Sequence, residues 1–112
     1  MHEVALARSV ARIAQRAAAG RRVLTVSLDV GVLRQVVPEA LQFAWRATAR
    51  SVPALQGARL EVRTIPARIT CRECGSTTPI DEDLVFACAA CGSTGCDVAA
   101  GNEFTLTSID VV

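Results

Sequence analysis

Lysine is missing from this 112-residue chain, whose twelve basic residues are all arginines. That absence removes a Schiff-base lysine and the lysine of a phosphate-binding loop, and no G-x-x-x-x-G-K-S/T pattern is present. Nucleotide chemistry would have to come from a partner. Histidine is nearly missing too: His2 is the only one. Ser/His/Asp and Cys/His triads are therefore excluded unless His2 itself is the base, and no other element suggests catalysis. Aromatic residues make up 4% of the chain, which leaves few platforms for stacking bases. The formal net charge is +1, so no bulk electrostatic footprint points to nucleic acid or to an anionic membrane. No apolar run is long enough to span a bilayer, and the N-terminus lacks the basic-then-apolar pattern of a secretory signal. The expected location is the cytoplasm.

What the chain does contain is enough for one modest core. Half of its residues are hydrophobic and 21% are charged, the composition of a packed globular domain. From Val4 to Ala19, Leu6, Val10, Ile13, Ala14 and Ala17 recur at helical spacing opposite a stripe of Arg8, Arg12 and Arg16, which predicts an amphipathic helix capped near Gly20. Residues Val23 to Val30 alternate, with Leu24, Val26, Leu28 and Val30 on one face, as in a half-buried strand. Pro38 opens a second helix that runs to about Ser51. A second strand follows over Ala58 to Ile65, and a third over Glu103 to Val111. The apolar phase of that third strand shifts between Leu106 and Ile109, which hints at a bulge. The expected fold class is α+β: two helices packed on a three-stranded sheet, with a cysteine-rich insert before the last strand. That insert reads as too polar to build a core of its own.

Five cysteines, an odd number, fit a disulfide framework poorly in a reducing compartment. Four of them form the pair "CRECG" (Cys71, Cys74) and "CAACG" (Cys88, Cys91), with thirteen residues between the two motifs' inner cysteines. Each C-x-x-C puts two thiolates on one tight turn, and the glycine behind it permits a conformation in which amide N–H groups point at sulfur. Two such turns facing each other supply a tetrahedron of soft ligands suited to structural zinc, with no open position for catalysis. An iron–sulfur cluster or a redox dithiol is the competing reading. Cys96 stands outside the pairs and reads as a partly buried small residue. A nucleic-acid or protein-binding zinc-ribbon module is the alternative function. Against nucleic acid, Asp81, Glu82 and Asp83 would repel phosphate, and the arginines are spread over helices and strands.

His2 draws its interest from position. A bulky second residue disfavours removal of Met1, so the α-amine, the His2 backbone nitrogen and the imidazole can close a five- and a six-membered chelate ring on one cation. Nitrogen-rich tetragonal sites of this kind suit Ni(II) or Cu(II). If Glu3 opens the first helix, its amide and that of His2 lack intrahelical acceptors and can lose a proton to a metal without breaking the helix. The helix dipole disfavours a cation there, and Glu3 with the deprotonated amides offsets that cost. Glu3 reads equally well as a favourable first-turn acid.

The opening "MHE", the segment "GVLRQVVPEALQFAW", the ribbon "PARITCRECG…CAACGS" and the closing "GNEFTLTSIDV" together resemble the HypA/HybF nickel metallochaperones of hydrogenase maturation, over essentially the whole chain. The resemblance implies a nickel-binding α/β domain (1–66 and 102–112) carrying a zinc-ribbon domain (67–101). It implies weak Ni(II) binding as transient cargo through the Met1 amine, His2 and the backbone nitrogen of Glu3, and structural zinc on Cys71, Cys74, Cys88 and Cys91. It further implies no enzymatic activity of its own. The implied partners are a nickel-insertion GTPase and the large subunit of nickel–iron hydrogenase, with urease as a possible second client, in a monomer or weak homodimer. Neither nucleic acid nor membrane is an expected partner. Cys96 and the arginine- and alanine-rich helices depart from the family pattern away from the metal positions.

Overall fold

A computed structural model describes residues 2–81 and 83–112. Met1 and Glu82, which carry the amine-ligand expectation and part of the acidic run, lie outside the described residues. The order of elements is α1 (His2–Ala18), β1 (Val23–Gly31), α2 (Pro38–Arg50), β2 (Arg59–Ile65), β3 (Ala67–Cys71), β4 (Thr77–Ile80), β5 (Cys96–Ala100) and β6 (Phe104–Val111), with short 3-10 turns at Val32–Arg34 and Pro53–Leu55. The strands form two three-stranded sheets, β2-β1-β6 and β4-β3-β5. Two compact units result: Met1–Asp29, Val36–Arg63 and Thr105–Val112 in one, Val30–Gln35 and Thr64–Phe104 in the other.

In the first unit α1 buries Ala7, Val10, Ala11, Ala14 and Ala18, a stripe at the helical period and mostly of alanine. This stripe is rotated from the expected one: Ile13 is 52% exposed, and Ala17 is exposed as well. Small alanine side chains let α1 approach α2 closely, since interaxial distance follows the size of the contact residues. The bulkier Ile13 is left outside. Helix α2 starts at Pro38, whose fixed φ and missing N–H suit a first helical position. It buries Leu41, Ala44, Trp45 and Ala49.

Two side chains of α2 tie it to the start of β2. The Gln42 amide donates to the Leu60 carbonyl at 2.8 Å, and the Trp45 indole N–H donates to the Ala58 carbonyl at 2.9 Å. Trp45 thus buries its ring without stranding its one polar atom. Strand β1 is central in its sheet, and its alternation fails at one end: Leu24 is exposed, whereas Thr25 is buried. A central strand is flanked on both sides, and here the Arg59 guanidinium reaches over to the Thr25 hydroxyl at 3.4 Å. Arg63 grips Asp29 with two hydrogen bonds, of 3.0 and 2.7 Å, and that contact holds the Asp29 carboxyl below its ordinary range. In β6, the consecutive exposed residues Thr107 and Ser108 separate half-buried Leu106 from half-buried Ile109, the phase shift visible in the sequence.

The second unit does have a core, contrary to the reading from composition. Ala67, Ile69 and Ile80 are buried together, and Leu33 and Cys96 pack against them. Composition hid this because the alternating "ARITC" of β3 puts Ala67, Ile69 and Cys71 on one face, and Leu33 arrives from a turn far away in sequence. Strand β3 is the centre of its sheet, antiparallel to β4 (Ala67 opposite Ile80) and to β5 (Cys71 opposite Cys96).

The expected outcome of Trp45→Ala is a loss of about 3–5 kcal/mol of stability, measured by urea denaturation; a loss below about 1 kcal/mol, the size of a lone hydrogen bond, would contradict the packing role.

Candidate metal centres

The cysteine centre is built from two copies of one backbone device. In the first knuckle the Cys71 amide donates to the Ser76 carbonyl at 2.9 Å and the Gly75 amide to the Cys71 carbonyl at 3.0 Å. In the second the Cys88 amide donates to the Ser93 carbonyl at 2.9 Å and the Gly92 amide to the Cys88 carbonyl at 2.8 Å. Each turn closes only because its glycine adopts a positive φ, +75° at Gly75 and +77° at Gly92, where a side chain is strained. The amides then face sulfur as expected, with the Cys74 N–H 3.5 Å from the Cys71 Sγ. The Ala89 amide donates to the Thr78 hydroxyl at 3.1 Å and so ties the second knuckle to β4.

The turns bring the Sγ atoms of Cys71, Cys74, Cys88 and Cys91 within 4.8 Å of one another. The closest approaches cross between knuckles: Cys71 to Cys91 at 3.6 Å and Cys74 to Cys88 at 3.5 Å. Cys71 and Cys88 are buried, Cys74 and Cys91 exposed. The local environment drives these thiols apart. Hydrogen bonds from the Ser76 hydroxyl and amide hold Cys74 down at about 6. For Cys91 the Ser93 amide lowers the pKa, but the neighbouring thiols, Cys71 foremost, and burial push it up to about 12. Crowded sulfurs resist ionising together unless a cation sits among them. Four thiolate donors at mutual contact distance are the donor set that a tetrahedral zinc ion takes, so the residues fit that metal. Burial, with Cys71 close by, raises the Cys96 thiol; it is half-buried, as its sequence reading held.

The N-terminal residues are arranged differently. Helix α1 begins at His2, two residues before the expected start at Val4, so the His2 and Glu3 amides both lie in the first turn, where an amide has no carbonyl four residues back to bond. The His2 imidazole is 56% exposed. Glu3, in contrast, turns inward and is 5% exposed. Its carboxylate accepts the Val37 N–H at 3.2 Å, immediately before α2, and lies 3.5 Å from the His2 Nε2. The sequence did not reveal this role, because Val37 is thirty-four residues away and no local pattern links the two. Among the described residues, the four cysteines are the one group of three or more metal-ligating side chains close enough to share an ion.

A small α+β protein whose four ribbon cysteines stand close enough to share one ion belongs to the class of metal-binding proteins. A family model described as "Hydrogenase/urease nickel incorporation, metallochaperone, hypA" matches residues 1–111, and the chain belongs to this HypA family. The chain is 39% identical to the hydrogenase maturation factor HypA of Geobacter metallireducens over 111 residues, 99% of each protein. It is 32% identical to that of Nostoc sp., covering 99% of this chain and 96% of the relative. The solution structure of the nickel metallochaperone HypA from Helicobacter pylori shares the fold, with a TM-score of 0.74 at 17% identity, over the whole of this chain and 98% of that one.

Substituting Glu3→Ala removes the acceptor that holds Val37. We expect the Val37 amide to exchange with solvent faster in hydrogen-exchange NMR, with ribbon amides unchanged; an unaltered Val37 rate would show that the carboxylate does not hold this junction.

Proposed function

We propose that this protein carries Ni(II) for hydrogenase maturation, binding it at its N-terminus through the Met1 amine, the His2 imidazole and backbone nitrogen, and the backbone nitrogen of Glu3. The observation that carries this reading is His2 itself: the sole histidine, exposed on the first turn of α1. Nickel is cargo here, so a site made of one side chain and the terminus, open to solvent, suits binding followed by release. The Glu3 carboxylate is engaged with the Val37 amide and acts as a support, which leaves the backbone nitrogen as the donor that Glu3 offers.

The ribbon performs a second, separate task. Cys71, Cys74, Cys88 and Cys91 hold structural zinc, which supplies a fixed dication that neutralises the crowded thiolates and closes the two knuckles on each other. The partners we propose are the nickel-insertion GTPase of the maturation pathway and the hydrogenase large subunit, in the cytoplasm, with urease as a second client.

In titrations of untagged protein, His2→Ala should abolish nickel binding while zinc content stays at about one per chain. Survival of nickel binding in that variant sinks the proposed site. Nickel affinity should also fall as pH drops through the range of the α-amine, about 7.7–8.0, because protons compete for that nitrogen. An N-terminal tag, which makes the amine an amide, should weaken nickel and leave zinc untouched; tighter binding at lower pH, or equal affinity with the tag, argues against amine ligation.

A further inference from the structure

Cys96 is the one cysteine outside the C-x-x-C pairs, and the β3–β5 ladder fixes where it stands. Cys71 lies directly opposite Cys96, and one step beyond, the Arg72 amide donates to the Gly95 carbonyl at 3.0 Å. Hydrogen-bonded and non-hydrogen-bonded pairs alternate along an antiparallel ladder, so Cys71 and Cys96 form a non-hydrogen-bonded pair. Their own amides agree with this: that of Cys71 donates to Ser76, and that of Cys96 to the Thr94 carbonyl at 3.0 Å. Such pairs bring Cα atoms to about 4.5 Å and put their side chains together on one face of the sheet.

That face is the inner one. Cys71 is 2% exposed, and Cys96 packs against Ala67, Ile69 and Ile80. The Cys96 thiol also reaches the second knuckle, lying 3.5 Å from the Ser93 carbonyl that receives the Cys88 amide. A fifth sulfur therefore borders both knuckles on the buried side of the cluster, away from the exposed Cys74 and Cys91. Packing alone asks only for a small side chain there. A thiol adds a soft donor next to a centre made of soft donors.

We propose that Cys96 is an exchange ligand of the ribbon's zinc centre, its sulfur replacing that of Cys71 on the metal. The inference rests on the zinc reading above. In the exchange one zinc–sulfur bond forms as another breaks. Cys96 gives up its thiol proton and the released Cys71 sulfur takes one up, so charge and ligand number are conserved and no oxidant is required.

The test compares zinc content, by elemental mass spectrometry, of the full-length untagged chain and its Cys74→Ser, Cys71→Ser and Cys71→Ser/Cys96→Ser variants. Wild type and Cys71→Ser should retain zinc, whereas Cys74→Ser and the double variant should lose it. Equal loss in Cys71→Ser and Cys74→Ser overturns the exchange while leaving the zinc reading intact; a wild-type chain without zinc overturns both. Cys96→Ser keeps all four primary ligands and guards against a folding failure in the other variants. Transfer of zinc from this loaded variant to a chromophoric chelator should be slower than from wild type, and equal rates would likewise overturn the proposal.

Discussion

Four sulfur atoms within 4.8 Å of one another set the electrostatic constraint around which the second unit is organised. Thiolates at that spacing repel, and the proximity survives only where a cation or protons balance it. The backbone is committed to the arrangement in advance: both knuckles spend their amides on the same turn hydrogen bonds, and each places a glycine where φ must be positive. A hydrophobic core of Ala67, Ile69 and Ile80 is too small to hold such a unit on burial alone, since domains of this size usually need a metal or other staple. Free energy of metal binding at the sulfurs would therefore act as folding free energy for the ribbon.

The N-terminus obeys the opposite requirement. A carrier must let its cargo go, and in the proposed nickel site the first turn of α1 would provide donors that are individually weak as metal ligands until they act together as a chelate. On that reading the helix dipole lowers affinity only by what Glu3 and the deprotonated amides leave uncompensated. A closed shell of thiolates around nickel would have made release slow.

Much of this was legible in the sequence, and the reasons differ by element. The C-x-x-C-G pairs could be read because their geometry is local: each knuckle needs nothing beyond its own residues. Pro38 marked the start of α2 for the same reason. Residues whose role depends on distant partners were read incompletely. The inward-turned Glu3 meets Val37, buried Thr25 is bonded by Arg59, and Leu33 packs on the ribbon core, none of them sequence neighbours. The face of α1 was misjudged at Ile13 because periodicity weights large apolar residues, whereas close helix packing selected the alanines. Met1, whose amine is the proposed ligand that completes the chelate, lies outside the described residues.

In the proposed nickel site Glu3 is a conspicuous side chain that would serve the metal without touching it. An acid beside a histidine invites assignment as a carboxylate ligand, and oxygen donors favour harder ions than nickel. Here the carboxylate is buried and accepts the amide of Val37, so turning it outward would break the hydrogen bond that ties the first turn to the start of α2. The nearby His2 Nε2, at 3.5 Å, gives the carboxylate a second effect, since it can orient the imidazole in the way an outer carboxylate orients a ligating histidine. A free terminus would otherwise fray, because the ends of most domains are poorly ordered unless tied down. The first turn is thus anchored through Glu3 and left open at His2, which would let the proposed site be defined well enough to select a nitrogen-loving ion and exposed enough to surrender it.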